Sequence, residues 1–188
     1  MSAEPLRLFV ALDLPDDVRR ALAAWGTRAA ARDPALRALV PATLHVTLAF
    51  LGDRPAWERD GLRTALHAAA GAAPEAVPLT LAGALWLSPR RPHVLTIKVA
   101  DDTGALERLY RRLSGELSRE VGWQAEQRAL RPHVTVARVR QGATPRTTGL
   151  AEPPQAAFGA PSVTLYRSHL EPAGATHEVL ERVALPMP

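Results

Sequence analysis

The chain has no cysteine among its 188 residues, which excludes disulfides, thiolate nucleophiles and thiolate metal sites together. It also lacks any apolar run approaching the roughly 20 residues that span a bilayer. The stretch "MSAEPLRLFVALDLPDD" has an acid before its apolar part and no small-residue cleavage site after it. The expectation is a soluble, unexported protein, with the cytoplasm as the default compartment and no membrane partner. Lysine is nearly missing too, since of 23 basic residues only Lys98 is one. The arginine fork suits phosphate, which makes an anionic or nucleic-acid partner plausible. A GC-rich genome writes the same arginine, alanine and proline excess, so the charge of +4 carries little weight by itself.

What is present is enough apolar residue, 47%, to bury a proper core. Leu6, Leu8, Val10 and Leu12 alternate with Arg7, Phe9 and Ala11, the period of a strand. Pro15-Asp16-Asp17 opens a helix with Val18, Ala21, Leu22 and Trp25 on one face. A strand over about 44–50 follows, then a helix with Leu62, Ala65, Leu66 and Ala69 on its face. "PEAVPLTLAGALWL" and "HVLTIKVA" predict two strands around a turn at 89–92. A third helix over about 103–120 aligns Leu106, Leu109, Tyr110, Leu113 and Leu117 and stops at Gly122. Another strand comes next, and 141–162 reads mostly as loop. "VTLYRSHL" and "HEVLERVAL" close the chain as strands around Glu171-Pro172-Ala173-Gly174.

One phrase is written twice. "LHVTLAFLG" surrounds His45 and "RPHVTVARV" surrounds His133. Leu6 precedes His45 by 39 residues, and Val94 precedes His133 by the same 39. Each interval reads strand, helix, His-Val-Thr strand, so the pattern predicts a duplicated unit with pseudo-twofold symmetry. Alternation along a strand puts His45 and Thr47 on one face, and His133 and Thr135 likewise, with Val46, Leu48, Val134 and Val136 turned to the core. Two imidazoles across a cleft are what displacement at phosphorus needs, one as base and one as acid, and a histidine pKa of ~6.5 populates both forms near neutrality. The threonine hydroxyls can donate to non-bridging phosphate oxygens. A lone strand histidine is more often structural than catalytic, and the matched pair is what outweighs that reading.

The other histidines do not share the pattern. His93 is followed by Leu95 and Thr96, which turns the threonine to the opposite face, so it reads as structural or rim. His67 falls off the apolar face of its helix and is expected in solvent. His169 and His177 flank a late turn without a carboxylate at metal-ligand spacing. None of the four is assigned to chemistry, no metal site is expected, and no cofactor.

These residues resemble the two-histidine (2H) phosphoesterase superfamily, whose signature is a pair of His-x-Thr-x tetrapeptides. They look most like its RNA 2′,3′-cyclic phosphodiesterase branch, historically called 2′-5′ RNA ligases. "RLFVALDLP", "LHVTLAFLG", "RPHVTVARV" and "LYRSHLEPAGATHEVL" fall in the family's order along nearly the whole chain. The resemblance implies an α+β, bilobal fold, with two pseudo-symmetric antiparallel sheets around a central cleft and helices outside, the whole of 1–188 forming one domain of two intertwined lobes. It implies hydrolysis of RNA 2′,3′-cyclic phosphate ends to 2′-phosphates, with reverse 2′-5′ joining as a side reaction. His45 matches the general acid at O3′, His133 the general base for water, and Thr47 and Thr135 the phosphate-holding threonines. Arg138 matches a basic phosphate-binding position and Phe50 an aromatic beside the terminal nucleobase. Strict alternation places Phe50 and Arg138 opposite their histidines, so both need a bulge, a strand end or strong twist to reach the cleft. Where relatives often carry tyrosine this chain has His177, taken as neutral for catalysis. The partner implied is an RNA or oligonucleotide with a cyclic phosphate end, and a monomer is expected. Two alternatives stay open: a small-nucleotide cyclic phosphodiesterase, and an RNA-end binding module without turnover.

Overall fold

The computed structural model describes residues 5–71, 76–88, 90–126, 128–171 and 174–187. Pro74-Glu75, Pro89 and Pro172-Ala173, parts of a strand and two turns expected above, lie outside the described residues. The order is β1 (Leu6–Leu12), α1 (Asp16–Arg32), β2 (Leu36–Ala38), β3 (Val46–Arg54), α2 (Arg59–Gly71), β4 (Pro78–Leu87), β5 (Val94–Ala100), α3 (Ala105–Val121), β6 (His133–Val139), β7 (Ala157–Gly159), β8 (Ser162–Glu171) and β9 (Gly174–Ala184). No helix among the described residues is long and apolar enough to cross a membrane.

The fold is mixed α+β with an antiparallel, bipartite sheet. One half runs β3-β1-β8-β9 and the other β7-β4-β5-β6, with β2 on the free side of β6. Among the described residues the two halves of the sheet are paired through a single bridge, Val46 of β3 against Val134 of β6. Those valines follow the two histidines, so the seam of the sheet is also where the repeated motifs meet. The repeat itself is visible in three dimensions. β1 and β5 are both seven residues long, start at the predicted Leu6 and Val94, and each pairs with the histidine strand of its own unit. α1 and α3, between them, are both 17 residues.

The helices are amphipathic and turn their apolar faces to one continuous core. Val18, Leu22 and Trp25 of α1 are buried as the spacing predicts, but Ala21 faces solvent and Ala23 and Gly26 take its place. The helix is rotated toward Gly26 because it crosses β6 at close range. A Cβ on Gly26 would stand 2.8 Å from the Val136 carbonyl oxygen, so only hydrogen fits there. The α1 helix thus packs on the other unit's histidine strand. Two tryptophans finish the lacing. Trp25 Nε1 donates to the carbonyls of Ala151 and Glu152, and Trp123 Nε1 donates to the Phe50 carbonyl at 3.0 Å. The segment read as loop, 141–162, is mostly that, apart from β7.

Candidate active site

The opposite face of the sheet from the main core carries a cleft of about 300 Å³. His45, Thr47 and Phe50 line it from the first unit, and His133, Thr135 and Arg138 from the second. His45 stands one residue before β3 and His133 is the first residue of β6. Each ring is held the same way. His45 Nδ1 lies 2.8 Å from the Thr43 carbonyl and His133 Nδ1 lies 2.7 Å from the Arg131 carbonyl, the residue two before it in both cases. A carbonyl only accepts, so Nδ1 carries the proton and donates, which leaves Nε2 as the lone-pair nitrogen of the neutral ring. Thr47 Oγ1, 3.1 Å from His45 Nε2, donates to that lone pair.

Phe50 and Arg138 reach the cleft by bulges placed alike. In β3, Val10 faces Ala49 and Ala11 faces Thr47, so Leu48 is the extra residue. In β6, Leu95 faces Ala137 and Thr96 faces Thr135, so Val136 is the extra one. Each bulge sits three residues past its histidine. The consequence appears in burial: Leu48 and Ala49 are consecutively buried, as are Val136 and Ala137, and the next residue in each strand returns to the cleft face. Phe50 ends 68% exposed at the cleft wall. Alternation alone would have turned it into the protein.

The two ends of the cleft differ electrostatically. His45 lies against a layer of rings, with Phe9 at 4.8 Å, His177 edge-on at 5.3 Å and Tyr166 at 6.1 Å between centroids. Burial in this layer, reinforced by His177, pushes His45 down from 6.5 to about 4, against the pull of the Thr43 carbonyl and Asp13. The expectation that this ring sits near its ordinary pKa is therefore corrected: a value of about 4 leaves it neutral at pH 7. Burial also lowers His177, with the Arg138 guanidinium acting in the same direction. Beneath the ring layer, Asp13 is 4% exposed and accepts from Ser162 at 2.6 Å, Thr164 at 2.8 Å and Tyr166 at 2.5 Å, with Arg182 Nε at 3.0 Å. Burial alone would raise this carboxyl; those donors hold it below its usual value. The network fixes Tyr166, which stacks on Phe9 at 5.1 Å, and Phe9 in turn lies tilted against His45.

A model of the 2'-5' RNA ligase superfamily matches residues 14–171 of the chain. The chain belongs to that superfamily. It is 31% identical over 167 residues to an RNA 2',3'-cyclic phosphodiesterase of Geobacillus stearothermophilus, covering 87% of this chain and 52% of that protein, so it spans about half of that relative's length. It is also 31% identical over 194 residues to an RNA 2',3'-cyclic phosphodiesterase of Thermus thermophilus, covering 96% of this chain and 90% of that one. A crystal structure of a Thermus thermophilus protein superposes with a TM-score of 0.78 at 28% identity, covering 95% of this chain and 97% of the other.

Four residues of the superfamily cleft were not singled out from sequence. Arg7 from β1, Arg37 from β2, Ser168 from β8 and His177 from β9 all line it. His177, taken as neutral for catalysis where relatives often carry tyrosine, arrives through the pairing of Ser168 with His177 across β8 and β9. Arg37 is the register partner of Arg138 and lies against Gly174, where a Cβ would meet its Nη1 at 2.5 Å. No carboxylate lines this cleft among the described residues, and none of them form a group of three or more His, Asp or Glu able to hold a metal ion. His93, by contrast, is exposed and away from the cleft. His67 is solvent-facing but pairs with Glu181 at 2.8 Å.

Proposed function

We propose that the chain is a cyclic phosphodiesterase that opens RNA 2′,3′-cyclic phosphate ends to 2′-phosphates, using His45 as general acid and His133 as general base, within one domain of two interlocked lobes. The observation that carries this reading is the pair of imidazoles, each tied at Nδ1 to the backbone and presenting Nε2 to a cleft lined by arginines and threonines with no described carboxylate. Such a lining selects an anion, and a lone-pair Nε2 on His133 is the form a base requires.

The phosphate enters between the two threonine hydroxyls, with Arg138 on its non-bridging oxygens. His133 Nε2 takes a proton from water as the water oxygen bonds to phosphorus. The P–O3′ bond breaks, and O3′ takes a proton from His45 Nε2. The low pKa of His45 gives this step a condition: the ring must be charged by the substrate. A bound phosphate anion beside it supplies the opposite charge that favours the protonated form, so substrate binding and proton uptake go together. Thr47 serves both states, donating to the neutral Nε2 and releasing it when Nε2 becomes the donor. The same two groups run the reverse joining of a 5′-hydroxyl to the cyclic phosphate. The product is a 2′-phosphate because O3′ faces His45; Phe50 against the terminal base supports that ribose orientation.

The test is turnover of 2′,3′-cyclic nucleotides, dinucleotides and longer RNA in EDTA, with phosphorus NMR of the product. Hydrolysis that survives chelation, favours RNA and yields 2′-phosphate is expected. Activity lost in EDTA and restored by a divalent metal overturns the metal-free mechanism. Faster turnover of mononucleotides than of RNA favours a small-nucleotide enzyme, binding without turnover makes the chain an RNA-end binder, and a 3′-phosphate product exchanges the roles of the two histidines.

A further inference from the structure

A second cavity, of about 330 Å³, adjoins the cleft and shares Thr47, Phe50 and His133 with it, but not His45. Leu48 and Ala49 of β3 add apolar wall from the first unit, and the second unit contributes Tyr110 from α3, Trp123 just past that helix, and Arg128 and Arg131 on the approach to β6. Trp123 is buried and its one donor is already given to the Phe50 carbonyl. What the indole and its neighbours offer a ligand is therefore aromatic surface. Arg128 and Arg131 are exposed at the rim, opposed by one carboxylate, Glu126. Neither holding a phosphate between the histidines nor admitting water calls for three aromatic side chains and two arginines here.

We infer that this cavity binds a nucleoside with a free 5′-hydroxyl, the strand that attacks the cyclic phosphate in place of water; the inference rests on the function proposed above. In-line displacement brings the nucleophile in on the base's side and expels the leaving oxygen on the acid's side. The cavity contacts His133 and not His45, so it opens on the nucleophile's side. Its size is that of a small-molecule site. Phe50, Tyr110 and Trp123 suit a stacked base of any identity, and Arg128 and Arg131 suit the phosphate that follows it in the strand. In the step, the 5′ oxygen bonds to phosphorus and its proton goes to His133 Nε2. The P–O3′ bond breaks, and O3′ takes the proton of His45 Nε2. The product is a 2′-5′ diester, and the strained cyclic ester supplies the driving force without a further reactant.

The test follows both products of one reaction: a dinucleotide ending in a 2′,3′-cyclic phosphate, with rising concentrations of a 5′-hydroxyl dinucleotide, separated by chromatography into hydrolysed and joined species. The protein should give joined product that saturates with acceptor. Tyr110→Ala and Arg128→Glu should each lower the joined-to-hydrolysed ratio, by roughly fivefold or more where a stacking surface is lost. A variant damaged only in its fold loses both products and leaves the ratio unmoved, and Arg128, being exposed, is the safer of the two for folding. Hydrolysis without joined product, joined product that never saturates, or an unchanged ratio in both variants overturns the inference. So does a raised KM for hydrolysis with the ratio unmoved, which assigns the cavity to the cyclic-phosphate strand instead. A protein that leaves the cyclic phosphate intact overturns the proposed function itself, a separate and distinguishable result.

Discussion

Residues 45–50 and 133–138 carry histidine, threonine and bulge at matching positions, yet His45 lies in a layer of rings formed by Phe9, Tyr166 and His177, whereas no ring contact among the described residues includes His133. The backbone repeats and the surroundings do not. Duplication supplies two equivalent imidazoles at the seam of the sheet. The strands that flank them then decide protonation. β8 and β9, which flank β1 as β4 and β7 flank β5, bring Tyr166 and His177 over His45, and burial there with His177 lowers its pKa. On the second unit's side β2 brings Arg37 beside Arg138. A symmetric scaffold thus holds two chemically unlike ends, and the lowered pKa of His45 means that its proposed acid role depends on substrate to charge the ring.

The comparison breaks most sharply at the histidines. His45→Ala and His133→Ala should each lower kcat for cyclic-phosphate hydrolysis by ~10²–10⁴-fold, the worth of a positioned proton-transfer group. His93→Ala, on an exposed residue outside the cleft, should leave it near the parent's. A His93 variant as damaging as the others would mean that the repeated motif is not what matters.

The next largest effect is on stability in acid. His45 binds fewer protons folded than unfolded between pH 6.5 and about 4, so the stability tied to its neutral state is present above that window and is lost as pH falls through it. The loss is on the order of 3 kcal/mol. Denaturant titrations at stepped pH should show the parent weakening over this range and His45→Gln weakening less. Parallel curves for the two would place His45 near its ordinary pKa.

Arg138→Ala should raise KM for RNA by about tenfold with a smaller change in kcat, and reduce the salt slope of binding by about 0.7, the contribution of one single-strand phosphate contact. A KM that responds to salt as the parent's does removes Arg138 from the phosphate. The smallest effect is a pH shift from His177→Tyr. His177 from β9 opposes charge on His45, while Asp13 from the end of β1 favours it and His133 from β6 opposes it more weakly. In its proposed role as acid, His45 works below its pKa, so relieving the His177 repulsion should move the alkaline limb of kcat/KM upward by under about one unit. A limb that stays in place would confine His177 to a structural part.

The repeated motifs and their strand-helix intervals were legible in the sequence because each is a local pattern, and the elements begin at Leu6 and Val94 as the spacing requires. The bulges at Leu48 and Val136 were not, since a bulge is a property of pairing and only the partner strand reveals it. Hence Phe50 and Arg138 matched the family while violating alternation. Arg7, Arg37 and His177 belong to strands distant in sequence that meet the cleft through β1, β2 and β9, and no local period announces such a meeting. β2 and β7, three residues each, are too short to show a period at all. The single Val46–Val134 pair that joins the halves is invisible for the same reason.

The central claim is that the two imidazoles act in one transition state, and the most direct measurement is kcat for hydrolysis of a 2′,3′-cyclic-phosphate dinucleotide by the parent, His45→Ala, His133→Ala and the double variant, all folded as judged by circular dichroism. Groups that act as a unit are strongly non-additive. The double variant should therefore be about as slow as the slower single variant. Losses that multiply, so that the double variant is slower than either single one by the full factor of the other, would mean that His45 and His133 act independently, and would contradict the account.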